Sequence, residues 1–390
     1  MSPLKVLHLA SFSGNIGDNA NHMGFRPWFA ERLGRPVDWT ELEIREFFWK
    51  ERAFDADFAN LANSYDALII GGGNYFELWV EGSPTGTSIA TPPEVFDRIT
   101  VPVYFNALGV DPGQGVPDSS RRNFTAFLDK LLASDQYLVT VRNDGAVDAL
   151  QTHIGADYAA AVHHVPDSGF FAPISTDDAP DILNADARYI GINVANDMAD
   201  VRFAKFNASE GSVAFAAEFA AALTRLSEDH GDVHFILFPH IFRDVEVIFQ
   251  VLDKMGDRLR RKRVIVAPYG SGDAAARVAL GLYKQCEMVL GMRFHANVCA
   301  MGAGRPTLGL VCYRQIAMLY AELGHGDATV DVSAPGFAQV LRDRVNGVLA
   351  DLPAHEARVQ DARRKVTQMR TGFEPALQDW FTANGLGRRT

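Results

Sequence analysis

The chain is short of cysteine, has no excess of basic charge and contains no long apolar run. Each shortfall removes a class of function. Three cysteines occur in 390 residues, Cys286, Cys299 and Cys312. They stand among apolar neighbours without metal-ligand spacing, so they read as reduced core thiols of a cytosolic protein, not as a disulfide framework or a zinc site. The formal net charge is -11, which argues against a nucleic-acid or anionic-membrane surface, because phosphates are bound through clustered Lys and Arg. No apolar stretch approaches the ~20 residues that span a bilayer. The opening MSPLKVLHLASFSG reads as a short strand and a glycine turn, without a signal-peptide pattern. No GxGxxG with a following acidic ribose partner appears, so NAD binding is not expected. There is no usable internal repeat and no low-complexity segment.

What is present is an ordinary globular balance, 47% hydrophobic and 22% charged, at a length that suggests two domains. Nearly continuous apolar runs of strand length recur in the first half at Val6–Ala10, Ala67–Ile70, Val103–Leu108, Leu138–Val141 and His163–Val165. In the second half they are Tyr189–Val194, Val233–Phe238, Arg263–Ala267, Met288–Leu290 and Thr307–Cys312. Such runs fit parallel strands covered on both faces. Helical patterns such as SVAFAAEFAAALTRLSEDHG separate them. The alternation predicts an α/β, doubly wound chain with two Rossmann-like lobes and a cleft between them. The Pro-, Asp- and Ser-rich stretch 172–188 marks the boundary. The expected division is an N-terminal lobe over 1–175, a linker over 176–187, a C-terminal lobe over 188–365 and a closing C-terminal helix over 366–390.

In open α/β sheets ligands bind beyond the carboxyl ends of strands, so the segments after the strand runs are the ones to inspect. SGNIGDNANHMGF offers Gly17 and Asp18 for a tight turn and a helix cap. IIGGGNYF offers Gly72, Gly73 and Asn74, where backbone N–H groups can line a pocket. In TVRNDG, Arg142 stands at a strand end, suited to a carboxylate or phosphate, or to pairing with Asp144 or Asp148. HHVPDSG places Asp167 where it can hold a neighbouring group. FPHIFRDVEV places His240, Arg243 and Asp244 after a strand, where they can contact an acceptor or position a catalytic group. GMRFHANVCAMGAGRPTLGL is the most informative. If Arg293 and His295 are extended they project together, with Phe294 turned inward. A helix starting near Ala296 then aims its N–H groups at the same anion.

NIGDNA, IIGGGN, TVRND and GMRFHANVCAMGAGRPTLGL occur in an order that resembles the polysaccharide pyruvyl transferase family, over roughly residues 5–320. HVPDSGFF and IGINVAND are weaker matches. The resemblance implies a fold similar to the two-lobed GT-B glycosyltransferases. It also implies transfer of the pyruvyl group of phosphoenolpyruvate, as a ketal, onto a sugar of a polysaccharide or its precursor. Carried over by position, Arg142, Arg293 and His295 become donor-site residues, with Arg293 and His295 catalytic. Where the family often places a lysine near the tyrosine, this chain has Tyr313–Arg314, and Arg314 is the substitute cation. Gly17, Asp18, Gly72, Gly73, Asn74, His240 and Asp244 are left for the acceptor or the cleft wall. The implied partners are phosphoenolpyruvate and a sugar or oligosaccharide acceptor, free or lipid-linked. No cofactor and no metal are expected. The competing expectation is a nucleotide-sugar glycosyltransferase, since CAMGAGRP is similar to a donor-binding motif of those enzymes; Cys299 stands where their ribose-binding glutamate would be.

Overall fold

The computed structural model describes residues 2–206 and 211–387. Fourteen strands are assigned among them: β1 (Leu4–Ala10), β2 (Val37–Glu43), β3 (Ala67–Gly71), β4 (Phe76–Glu77), β5 (Val103–Leu108), β6 (Val110–Asp111), β7 (Tyr137–Arg142), β8 (His163–Val165), β9 (Arg188–Asn193), β10 (Val233–Leu237), β11 (Val264–Val266), β12 (Met288–Gly291), β13 (Thr307–Val311) and β14 (Thr329–Asp331). They form two six-stranded sheets, ordered β2-β1-β3-β5-β7-β8 and β11-β10-β9-β12-β13-β14, and a two-stranded β4-β6 ribbon. Every pairing is parallel. Both large sheets are Rossmann-like, and each reverses its winding direction once. In the first sheet that switch point falls between β1 and β3, in the second between β9 and β12.

The ten apolar runs all become strands, but each sheet has a sixth strand that the sequence hides. The missing pair are edge strands, β2 and β14. VDWTELE in β2 alternates partly covered and exposed positions, because an edge strand covered on one side does not need a continuous apolar run. Successive side chains in the inner strands serve opposite faces. Leu7, Leu68, Ile70, Phe105 and Val139 enter one core. Val6, Ala67, Ile69, Tyr104 and Leu138 enter the other, where the C-terminal residues Phe373, Leu377, Trp380 and Phe381 cover them.

The chain divides into two compact units, and the division is not a single cut. The first comprises the residues up to Phe12, Gly24–Ser168 and the chain from Val366 on; the second comprises Ser13–Met23 and Gly169–Lys365. Residues 13–23 therefore depart from a contiguous first lobe. The reason is packing: Ile16, Ala20 and Met23 are buried with Tyr189, Ile236, Phe238 and Val289 of the second unit. The final helix, Leu352–Ala383, begins before residue 366 and carries the chain back into the first unit.

The glycine turn after β3 has a steric cause. Gly71 has φ +137°, and a Cβ there would lie 2.4 Å from the carbonyl oxygen of Asn106. Beside it, Ala107 takes φ +48° where the β5–β7 register shifts. Its N–H donates to Thr140 Oγ1 at 2.7 Å, and that hydroxyl donates to the Phe105 carbonyl at 2.9 Å. Gly71→Ala must therefore move backbone rather than a side chain. We expect it to lower stability by about 2 kcal/mol or more, measured by denaturant unfolding against a Gly115→Ala control, where φ is also positive but no atom lies within 4 Å.

Candidate functional site

The second unit places its polar residues at the carboxyl edge of its sheet, at the β9/β12 switch point. β12 ends at Gly291, and the helix Phe294–Gly302 starts three residues later with Arg293 as its N-cap in extended geometry. The helix thus begins before Ala296, and His295 lies in its first turn. The extended Arg-x-His geometry expected from the sequence does not form, and the two side chains engage different partners. Asn193, the last residue of β9, joins the strand ends: its Oδ1 accepts from Arg293 N–H at 2.9 Å and its Nδ2 donates to the Phe238 carbonyl at 2.9 Å.

Arg293 is held by two carboxylates. It donates through Nε (2.8 Å) and Nη2 (2.5 Å) to Asp244, and through Nη2 (2.5 Å) to Asp197. Asp244 is fully buried near the start of the helix Phe242–Lys254 and also accepts the backbone N–H groups of His240 and Ile241. Arg202 donates to the other oxygen of Asp197 at 2.8 Å, and its guanidinium lies 4.2 Å from the Tyr313 ring centre. Burial alone would raise the Asp197 carboxyl, but Arg293 and Arg202 outweigh it and hold the group at about 2. Tyr313 Oη accepts the Phe294 N–H at 2.8 Å, which closes one of the helix N-terminal donors. Arg314 begins the next helix, Arg314–Glu322, directly after Tyr313.

His295 faces residues 13–23. Its Nδ1 lies 3.8 Å from Asp18 Oδ1, within ion-pair reach when the ring is protonated, and both side chains are nearly buried. A Cβ on Gly17 would fall 2.4 Å from His295 Cβ, so only glycine lets that turn approach the imidazole. His240 Nε2 lies 2.7 Å from the Tyr283 hydroxyl, inside the core. Burial, with help from the positive charge of Arg293 and of His295, lowers His240 well below the usual imidazole range. Arg243 points away from the site, 3.9 Å from Glu246 on the helix surface.

The first unit gathers a separate set. Arg142 Nε donates to Asp144 at 2.7 Å, and its Nη1 lies 3.7 Å from Asp167. The ion pair expected with Asp144 or Asp148 forms with Asp144, and Asp167 joins it. A Cβ on Gly109 would meet Asn74 Oδ1 at 2.4 Å and both Arg142 Nη2 and Asp144 Oδ2 at 2.9 Å. Asn74, Arg142 and Asp144 therefore converge over a bare patch of backbone. Gly72 has φ +89°, and a Cβ on Gly73 would strike the Tyr75 ring. Asn74 Nδ2 donates to Asp111 at 3.2 Å, and Asp111 pairs in register with Glu77. Burial drives the Glu77 carboxyl up to about 7; a Ser88 hydrogen bond opposes this, Asp111 adds to it and Arg45 opposes it.

Five further residues take part in these networks without standing out in the sequence: Asn193 and Asp197, inside the weakly matching IGINVAND, and Arg202, Glu77 and Asp111. Position was the one available signal, and only for some of them: Asn193, Glu77 and Asp111 are the last residues of β9, β4 and β6, whereas Asp197 lies in the loop after β9 and Arg202 ends the short helix Ala199–Arg202. Among the described residues, no group of three or more His, Cys, Asp or Glu is arranged to hold a metal ion. The three cysteines are buried and form no disulfide.

The family model described as polysaccharide pyruvyl transferase matches residues 8–312. The chain belongs to that family. Membership makes it a transferase acting on polysaccharides. The match takes in Arg142, Asp197, Asp244, Arg293 and His295 and stops just short of Tyr313. Solved structures resemble it in fold at low identity. A glycosyltransferase from Rickettsia africae superposes with a TM-score of 0.56 at 10% identity, covering 98% of this chain and 99% of that one. Anabaena Alr3699/HepE, solved with UDP and glucose, gives 0.51 at 12% identity, covering 96% and 100%. S. aureus MnaA, solved with UDP, gives 0.51 at 11%, covering 93% and 95%. These confirm the two-lobed α/β architecture. No curated protein matches the sequence.

Two outcomes test the site as built. Asp244→Ala strips the buried Arg293 of its bidentate partner, so unfolding should cost about 3 kcal/mol less than in the wild type. His240 is held neutral in the fold but takes a proton once unfolded. Its share of stability is therefore present above the unfolded pKa and declines as pH falls from about 6.5 to 5. His240→Gln should flatten that part of the stability-against-pH curve.

Proposed function

We propose that this family member takes the pyruvyl group from phosphoenolpyruvate and sets it as a ketal on two hydroxyls of one sugar, releasing phosphate. The observation that carries the reading is the β9/β12 edge of the second unit, where family-matched Arg293 is held by the buried Asp244 and family-matched His295 lies 3.8 Å from Asp18. Phosphoenolpyruvate carries two anionic groups on a small frame, and a planar guanidinium suits either. Asp244 orients Arg293 from behind. Asp197 is the more exposed of its two carboxylates, and it stands where a donor carboxylate would dock.

In the reaction His295 gives a proton to C3 of the enol as a sugar hydroxyl attacks C2. His295 then takes the proton released by that hydroxyl. The C2–O bond to phosphate breaks and its electron pair leaves with the phosphate. The second hydroxyl closes on C2, and the phosphate carries off that proton. The scheme balances without an oxidant or a reductant. Arg293, with Arg202 behind Asp197, offsets the charge gathering on the leaving group. Arg142 and Arg314 belong to the donor set that family position implies. The first unit's Asn74, Gly72 and Gly73 supply hydrogen-bonding groups suited to acceptor hydroxyls, and the acceptor is a sugar, free or lipid-linked.

Calorimetric titration with phosphoenolpyruvate tests the donor. The wild type should bind saturably, Arg293→Ala should not bind, and Asp197→Asn should bind more tightly, on the order of tenfold, or about 1.4 kcal/mol. His295→Ala should keep donor binding and lose ketal formation. UDP, present in two structures of the same fold, is the competing donor fragment; wild-type binding of UDP without phosphoenolpyruvate would overturn the proposal.

A further inference from the structure

The helix Phe242–Lys254 has two working faces. Asp244 points inward to Arg293. Phe242, Val245 and Phe249 point outward and are 71%, 37% and 68% exposed. Their spacing of three and four residues sets them on one stripe. Val266, on the sheet's edge strand β11, and Tyr269 just after it are also exposed. The Tyr269 ring lies 6.1 Å from Phe242, so the stripe and the edge strand join in one apolar patch. Isolated exposed apolar residues are normal, but a contiguous aromatic group on one face is not.

The patch continues into a cationic segment. Residues 254–263, KMGDRLRRKR, carry six basic side chains and one acidic one. Arg260 ties this segment to the aromatic helix by donating to the Leu252 carbonyl at 3.1 Å. Arg263 is spent on the carbonyls of Ser227, His230 and Val233. Lys254, Arg258, Arg261 and Lys262 remain on the surface. Asp253 pairs with Lys254, Asp257 with Arg260 and Arg261, and Glu246 with Arg243, which leaves Arg258 and Lys262 as the exposed cations outside these pairs. The rest of the chain carries the acidic excess: removing the segment's net +5 from -11 leaves -16. The whole-chain charge that argues against an anionic surface thus conceals one local exception.

We propose that this patch docks the protein peripherally on an anionic lipid bilayer, with the phenylalanines in the acyl boundary and the cations among the headgroups. Exposed aromatics beside a basic helix suit that interface, where apolar burial and attraction to anionic lipid add. A second copy of this chain fits less well, because an isologous interface sets the same cations against one another. Nucleic acid fits less well because its phosphates would engage only the basic part, leaving the aliphatic and aromatic stripe of Phe242, Val245, Phe249 and Val266 in water. No helix among the described residues is long and apolar enough to cross a membrane, so the docking would be reversible.

The test is sedimentation of the full chain with vesicles of phosphatidylcholine, or of phosphatidylcholine and phosphatidylglycerol in equal parts. The wild type should partition onto the mixed vesicles, weakly onto the neutral ones, and lose binding as salt rises. Phe249→Ser should lower partitioning at least about tenfold, since it removes one large apolar side chain from the acyl boundary. The pair Arg258→Glu and Lys262→Glu should abolish the preference for anionic lipid. All three positions are exposed, so melting temperatures should not change. Absence of wild-type binding to mixed vesicles would overturn the proposal, as would undiminished binding by both variants. So would a dimer in solution that Phe249→Ser dissociates while no vesicle binding is seen. No donor or acceptor enters the measurement, so its failure is distinct from failure of the pyruvyl-transfer reading.

Discussion

The second unit's site depends on one buried ion pair, Asp244 with Arg293. Asp244 accepts two hydrogen bonds from the guanidinium and two from the backbone that opens its helix. The pair therefore fixes three things together: where β12 hands over to its helix, where the Phe242–Lys254 helix begins, and where a permanent cation stands at the switch point. A buried pair of this kind contributes little as attraction alone, because desolvation offsets it. Its value lies in geometry. Neither partner can leave without stranding a charge, so the strand ends stay in register around Asn193.

The same carboxylate links the site's chemistry to the outer surface. Asp244 and the exposed Phe242, Val245 and Phe249 share one helix, with the ion pair inside and the apolar stripe outside. Arg293 itself is over-supplied with negative charge. Two carboxylates meet one guanidinium, and Arg202 restores the balance through Asp197. The guanidinium is thus fully engaged by the protein's own carboxylates, one of them held on a segment just past a strand end.

Eight of the ten legible strands are inner ones, readable because each must be apolar on both faces; the other two, β8 and β11, are edge strands whose short runs are apolar enough to show. The edge strands β2 and β14 were not legible, because one covered side leaves their pattern ambiguous. Arg293, His295, Arg142 and Asn74 were legible as polar residues placed where an apolar run stops. Asp197 and Arg202 were not, because nothing in ANDMADVR separates an ion-pair bridge from a solvated loop until Arg293 is brought beside it. His295 was identified for a geometry it does not adopt: the helix starts earlier than its small residues suggested, since Tyr313 supplies a cap from the next strand's end.

The sequence by itself determined the fold class, the number of lobes and the family, because these follow from periodicity and from short motifs read along the chain. Tertiary structure alone decided which charges meet. Residues 13–23 belong to the second unit because three apolar side chains find their core there, and that places Gly17 and Asp18 against His295. The exposed phenylalanines and the KMGDRLRRKR segment adjoin because the short helix Asp257–Arg263 follows the aromatic helix directly and Arg260 ties it back to Leu252. Contacts between residues hundreds of positions apart depend on packing, and packing is not a local property of any segment.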